Sequence, residues 1–427
     1  MVTVPATPTS QRLTTSIGAD HHPATPGGVG PADVSRGRAA LSMLIGDIDT
    51  FLADHWAKAP LLQPANGERE MALSIADVDT LLRERAARLP TVRLVRDGQA
   101  IPESRFTTSA RLGSRPVSDL LDPAAITREF NAGATVSLQG LHRYWPPLTD
   151  LCQSLEAALT HPFQANAYLS PAGAVGLAVH HDTHDVFVVQ CEGSKHFDVY
   201  EPATWLPVTG QNWTSDEPPG VPVLSVDLKP GDCLYMPRGW RHRAFTTDSH
   251  SLHLTIGQLG YTWLALATTL TAALADEVAF RDPLPAGYAH DPDRMTAEVA
   301  HRIGSLRAWL GTVDPAAIAD TLIRAFVQSP AGHPEGIKGA LTERVIGSGT
   351  RVRRRRHRRA LLRISAGAVE LQLVDRVVTF PAHAADVLRA VVATDEFSAA
   401  ELPDSLDIEG RLVVVRRLLA EGLLEAR

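Results

Sequence analysis

The sequence is poor in cysteine, has no long apolar run and carries no excess of positive charge. Only Cys152, Cys191 and Cys233 occur in 427 residues, with no CxxC pair and no even set. That excludes a disulfide framework and fits a reducing cytoplasm, where buried cysteines act as small apolar groups. No stretch reaches the ~18 apolar residues that would suggest a membrane span. The N-terminus lacks the basic and apolar regions of a signal peptide. A net charge of −7 argues against a general nucleic-acid coat, although local basic patches remain open. No internal repeat is present. The expectation is a soluble, cytoplasmic protein: 44% apolar and 21% charged residues are ordinary for a globular chain, and the length suffices for two or three domains.

Residues 1–38 are rich in Pro, Thr, Ser, Gly and Ala without apolar periodicity, so they are expected to form a disordered tail. Leu44, Ile48, Phe51 and Leu52 then recur at helical spacing, with Asp47 or Asp49 near the start. Ser74 opens a second helix as a plausible cap. Thr91–Pro102 reads as two strands joined at Asp97-Gly98, a hairpin signal. A strand and then a helix from about Pro147 follow. From Phe163 to Gln258, short apolar runs alternate with Gly, Pro and Asp clusters, among them NAYLS, VGLAV, DVFVVQ, HFDVYEP and SLHLTIGQ. That spacing predicts an all-β barrel or double-stranded β-helix rather than βαβ units. Beyond Gly260 the apolar residues return to helical spacing. The first of these helices is apolar on most faces, which implies either deep burial or an oligomer interface. From about 350, strands and two helices suggest a winged-helix module.

The chemistry concentrates in Leu177–Tyr200, LAVHHDTHDVFVVQCEGSKHFDVY, and Gly231–Phe245, GDCLYMPRGWRHRAF. On a strand, residues two apart share a face, so His180 and Asp182 can converge. His242 is a third candidate, delivered by the Pro237-Arg238-Gly239 turn. Two His and one carboxylate with open positions form the ligand set of non-haem Fe(II) oxygenases. The ordinary alternative is a satisfied polar cluster at a barrel mouth, although such a cluster is costly to desolvate without a metal. His181 faces the other way; His184 shares the parity of the pair and is assigned beside the metal or toward substrate. Most lysines are solvated surface charges. Lys195, embedded in a strand pattern, is instead placed to bind the distal carboxylate of 2-oxoglutarate. Asn166 and Tyr168 offer neutral donors to the same group. His253 and Thr255 alternate, and one face of that strand must look inward.

NAYLSPAGAVGLAVHHDTHDVFVVQCEGSKHFDVYEP, the PRGWRH turn and HSLHLTIG together resemble the JmjC-type ribosomal oxygenases, cupin-like 2-oxoglutarate hydroxylases. FLADHWAKAPLL and LHRYWPPL resemble that group's N-terminal segment, so the likeness spans roughly residues 44–260. It implies an α+β fold: a JmjC/cupin double-stranded β-helix with N-terminal helices over 39–260, a helical dimerisation region over 261–345 and a winged-helix-like domain over 346–427. It implies iron held by His180, Asp182 and His242, and 2-oxoglutarate held by Lys195 with Asn166 and Tyr168; His253, from its strand's alternation, is a further candidate for the cosubstrate. It also implies O2-dependent hydroxylation of His or Arg side chains in ribosomal proteins, by a homodimer. The sequence departs from that group at Phe197 and Asp198, where relatives carry Trp and a basic residue, and at the lead Leu177-Ala178-Val179.

Other classes stay open. A tailoring hydroxylase of a ribosomally made peptide or small natural product would use the same residues. So would a lysine demethylase. A non-catalytic regulator would bind a ligand in the barrel and DNA through the C-terminal unit. The run Arg351–Arg359 is either a structural edge against acidic surface or a dock for a polyanion such as ribosomal RNA. Trp205, Trp213 and Trp240 are read as core or cleft walls.

Overall fold

The computed structural model describes residues 28–427 apart from 68–70, 86, 176, 214–218, 330–345 and 366. Part of the expected tail therefore lies outside the described residues, and the remainder is not a tail. Helix α1 (Pro31–Ile45) starts at Pro31 and packs against α5 (Pro146–Leu159). Leu41, Leu44 and Ile45 enter the core near its end, while its first half is held by small residues in close approach: a Cβ on Gly37 would lie 2.3 Å from the Ser154 carbonyl oxygen. Buried Asp33 accepts from the His357 amide at 2.9 Å, which ties the helix to a distant segment that local periodicity cannot reveal.

After α1 come the short α2 (Ile48–Thr50), capped by Asp47, and a π-turn over Phe51–His55. β1 (Leu61–Gln63) precedes α3 (Ile75–Glu84), where Ser74 and Asp77 form a reciprocal capping box. β2 (Val92–Arg96) and β3 (Gln99–Ala100) turn at Asp97 and Gly98, with φ of 50° and 74° as a type I′ hairpin requires. The hairpin β4 (Thr107–Leu112) and β5 (Arg115–Leu121), then α4 (Pro123–Asn131), lead into β6 (Thr135–Leu138).

The central strands are β7 (Phe163–Ser170), β8 (Asp185–Gly193), β9 (Lys195–Tyr200), β10 (Leu224–Leu228), β11 (Cys233–Met236), β12 (Arg241–Phe245) and β13 (Ser251–Gln258). They form a major sheet in the order β1-β11-β8-β13-β7-β6-β2-β3 and a minor sheet β10-β9-β12, with antiparallel pairing throughout. Alternation sets the two faces of the major sheet. Ala165, Ala167, Phe187, Val189, Leu252, Leu254 and Ile256 join the large core with the N-terminal helices. Val186 and Val188 point the other way and pack with Phe197, Val199, Leu228, Leu234, Met236 and Trp240 between the sheets. Asn166, Tyr168, His253 and Thr255 share the parity of that inner face. The expected strand VGLAV does not form. Val175 makes a single bridge to Phe245, and it and Leu177 are exposed because no neighbouring surface covers them.

Helices α6 (Leu264–Leu274), α7 (Val278–Arg281), α8 (Pro292–Leu310) and α9 (Pro315–Gln328) follow. No residue of α6 is buried and Trp263 is 82% exposed, so the described residues do not bury its apolar faces. The last segment has sheets β18-β14-β19 and β15-β16-β17, built from β14 (Arg351–Arg354), β15 (Leu361–Ile364), β16 (Ala368–Gln372), β17 (Val377–Pro381), β18 (Glu396–Ser398) and β19 (Leu424–Ala426). Helices Ala385–Ala393 and Ile408–Ala420 pack with them around a separate core.

The basic run is largely spent inside the chain. Arg351 pairs with Glu396 at 3.3 Å and Glu401 at 2.8 Å, and Arg353 pairs with Glu425. Buried Arg354 donates to the Val392 carbonyl, and His357 meets Asp150 at 2.9 Å. Arg359 pairs with Glu156 on α5 and stacks on Phe326 of α9 at 4.1 Å. These contacts favour the structural reading of the run.

Candidate metal centre

His180 and Asp182 do not lie on a regular strand. They sit on the segment leading into β8, and what aligns them is an isolated bridge rather than strand alternation. The His242 amide donates to the His180 carbonyl at 2.8 Å and the His180 amide returns the bond at 3.2 Å. His242 itself is on β12, after a turn in which Gly239, at φ 90°, donates to the Asp182 carbonyl at 3.0 Å. A Cβ on Gly239 would lie 2.4 Å from the Thr204 carbonyl oxygen, so the turn requires glycine on two counts.

One donor atom from each of His180, Asp182 and His242 lies within 4.8 Å of the others. The rings of His180 and His242 are 4.4 Å apart, and Nε2 of His242 is 3.8 Å from Oδ2 of Asp182. The His180 Nδ1 faces the Ala178 carbonyl at 2.8 Å, and the His242 Nδ1 faces the Trp240 carbonyl at 3.2 Å. A carbonyl only accepts, so both Nδ1 atoms carry a proton and each ring turns its Nε2 toward the site. Burial, reinforced by His180, pushes His242 down to about 4, which keeps it neutral. Burial opposes charge on Asp182, yet the surrounding imidazoles, His242 foremost, hold its carboxyl below the usual range. Two imidazoles oriented by backbone carbonyls and one carboxylate are a donor set that fits a divalent first-row metal.

The other expected residues fall into two groups. Lys195, 3% exposed, points between the sheets; its Nζ donates to Ser170 Oγ at 3.1 Å, and Ser170 meets Thr135 Oγ1 at 2.9 Å. No acidic partner faces it among the described residues, and burial pushes it down to about 8. A buried cation without a counter-charge is costly to keep, which makes this position suited to an anion. His253, 6% exposed, stacks on Tyr168 at 5.1 Å and meets the Phe197 edge at 5.8 Å, with its Nδ1 unpartnered. Burial and then the charge of Lys195 push it to about 3, so it is neutral. Asn166 is partly committed: its Oδ1 accepts from the Gly140 amide at 2.8 Å. His184 lies against β13, where a Cβ on Gly257 would come within 2.6 Å of its ring. His181 turns away and binds the Gln211 carbonyl at 3.0 Å. Asp198 faces outward, held by Ser225 at 2.8 Å and Arg243 at 2.9 Å, so this departure from the resembled pattern stays off the inner face. Ser170 and Thr135 were not singled out from the sequence; the parity of Ser170 with Asn166 and Tyr168 was the available signal.

A double-stranded β-helix with an inward His-Asp-His set defines a JmjC/cupin-type fold with mixed helices and strands, and residues 142–266 match the JmjC domain model. The chain is therefore similar to JmjC domains over that stretch. It is homologous to the Dictyostelium discoideum protein named bifunctional lysine-specific demethylase and histidyl-hydroxylase NO66, at 33% identity over 213 residues, 45% of this chain and 41% of that one. Ribosomal oxygenase 1 of Homo sapiens is 31% identical over 252 residues, 55% of this chain and 39% of that one. The chain thus spans less than half the length of these curated relatives. Among solved structures, the Escherichia coli ribosomal oxygenase YcfD in complex with cobalt and 2-oxoglutarate aligns with a TM-score of 0.53 at 18% identity, covering 90% of this chain and 99% of that one. At that identity the likeness concerns the fold. Among the described residues no helix is long and apolar enough to cross a membrane.

Proposed function

We propose that the chain is an Fe(II)- and 2-oxoglutarate-dependent dioxygenase that hydroxylates an amino-acid side chain, of His or Arg type, in a ribosomal protein or other polypeptide. The observation that carries this reading is the convergence of His180, Asp182 and His242 beside a buried, uncompensated Lys195. His180 and His242 would hold the ion through Nε2, and Asp182 through its carboxylate. Lys195, steadied by Ser170, would grip the far carboxylate of the cosubstrate, with Asn166 and Tyr168 as neutral neighbours and His253 as a neutral wall. Val186, Val188, Phe197, Val199, Leu234 and Met236 line the space between the sheets with apolar surface that excludes water. When bound, iron with 2-oxoglutarate supplies the activation of O2 that places a hydroxyl on a positioned C–H bond.

The names of the relatives support the substrate class, since histidyl-hydroxylase and ribosomal oxygenase both appear among them. The test is anaerobically prepared protein given Fe(II), 2-oxoglutarate, O2 and a panel of ribosomal proteins. The expected result is succinate release with a mass gain of one oxygen on one His or Arg residue. A tailoring enzyme would instead modify a small peptide, a demethylase would release methyl groups from lysine, and a regulator would release no succinate with any of them.

The surrounding units fit the same reading. The exposed apolar residues Trp263, Leu264, Val278 and Ile303 support a homodimer built through the helical region, 261–345. The strands and two helices beyond 346 suit a winged-helix-like domain, with the barrel and its N-terminal helices occupying 39–260. Three buried free thiols suit a reducing, cytoplasmic setting.

A further inference from the structure

The two segments that bear the candidate ligands are also tied by a carboxylate outside the triad. Strands β8 and β11 pair as far as Val186 opposite Met236. The next residue is Pro237, which has no amide hydrogen, so the ladder cannot continue toward the bridge between His180 and His242. Asp185, 3% exposed, spans the gap. Its Oδ1 accepts from the Arg238 amide at 3.0 Å and its Oδ2 from the Tyr235 hydroxyl at 2.7 Å. The same hydroxyl accepts from the Ala57 amide at 2.9 Å, at the end of the N-terminal π-turn. Phe51 and Phe187 fix the Tyr235 ring, with centroids 4.8 and 5.0 Å away. Asp185 thus follows one candidate ligand closely in sequence and holds the backbone just ahead of another.

We propose that Asp185 is a positioning residue for the metal centre. Its carboxylate staples the segment 180–185 to the turn 237–240, and so sets how Asp182 stands to His242 without touching the ion. The inference rests on the metal-binding reading above. Ionised acceptors make short, strong hydrogen bonds, so a carboxylate replaces the missing ladder bond more firmly than a neutral group would. Outer groups that orient ligands typically control about 10–100-fold in metal affinity.

The experiment is Co(II) titration of the full chain, followed by visible absorption, for wild type, Asp185→Asn and Tyr235→Phe, with thermal unfolding of each metal-free protein. Asp185→Asn is expected to bind Co(II) about 10–100-fold more weakly and to shift the absorption bands. Tyr235→Phe, which keeps the Arg238 contact, should show a smaller loss in the same direction. A merely structural role would lower the Tm of both variants and leave the Co(II) spectrum at wild type. Asp185→Asn with wild-type affinity and bands overturns the inference and leaves the metal reading standing. Wild-type protein that binds no Co(II) overturns both. Should Asp185→Asn fail to fold, Tyr235→Phe decides: weaker binding supports the role and wild-type affinity refutes it.

Discussion

Lys195 is an inner side chain whose charge changes not far above neutral pH. Burial brings it down to about 8, while His242 near 4 and His253 near 3 stay neutral above pH 5 or so. Binding an anion stabilises the ammonium, so the affinity gained from Lys195 is fully present below pH 8 and is lost as pH rises. The dissociation constant of 2-oxoglutarate, measured calorimetrically on metal-loaded protein, should be flat up to about pH 8 and then climb by up to about tenfold per pH unit. A flat profile to pH 10 would remove Lys195 from the site. Lys195→Ala should weaken cosubstrate binding by about 10–100-fold, the ~1.5–3 kcal/mol of a charge-assisted hydrogen bond, and leave metal affinity near wild type. Equal loss of both would show a general collapse of the barrel. Lys195 was legible because a lysine inside an alternating apolar strand is expensive unless it has work to do. Asp185 was not, because its partners at 235 and 238 come from a segment whose proximity only the fold creates.

At the level of elements, the buried pair Arg359–Glu156 joins the segment after β14 to α5, and the Arg359 stacking on Phe326 brings in α9. Burial raises Glu156 and lowers Arg359, each against its partner's pull, so desolvation outweighs attraction for both groups. Such a pair adds little net stability, yet removing one half strands a buried charge. Glu156→Ala should therefore destabilise by about 3–5 kcal/mol in denaturant unfolding, whereas Arg356→Ala, at an exposed 3.8 Å pair with Asp150, should cost under ~1 kcal/mol. Equal effects would contradict the clamp. Local signals foretold the elements that carry them: Ser74 at a helix start, Asp97-Gly98 in a hairpin, and a helix expected from about Pro147 that begins at Pro146. Elements without such signals were missed. Hairpin β4–β5 is mostly exposed and shows no apolar alternation, and the first half of α1 is held by Gly37 and Asp33, with apolar burial confined to Ala40, Leu41, Leu44 and Ile45 near its end. The candidate ligands were picked by residue type, but a strand was expected where a single bridge does the aligning.

For the molecule as a whole, the helices α6–α8 present apolar residues that no described residue covers. A dimer through them predicts twice the chain mass in light scattering for wild type and a shift toward monomer for Trp263→Glu. A monomeric wild type would contradict that assembly. The central claim concerns the centre between the two sheets, and its most direct test is calorimetric titration of chelator-stripped protein, first with a divalent metal and then with 2-oxoglutarate. The account predicts one metal ion per chain, loss of that binding in Asp182→Ala and His242→Ala, and cosubstrate binding that appears only after the metal is added. Metal binding undiminished in both variants, or 2-oxoglutarate bound equally well without metal, would contradict it.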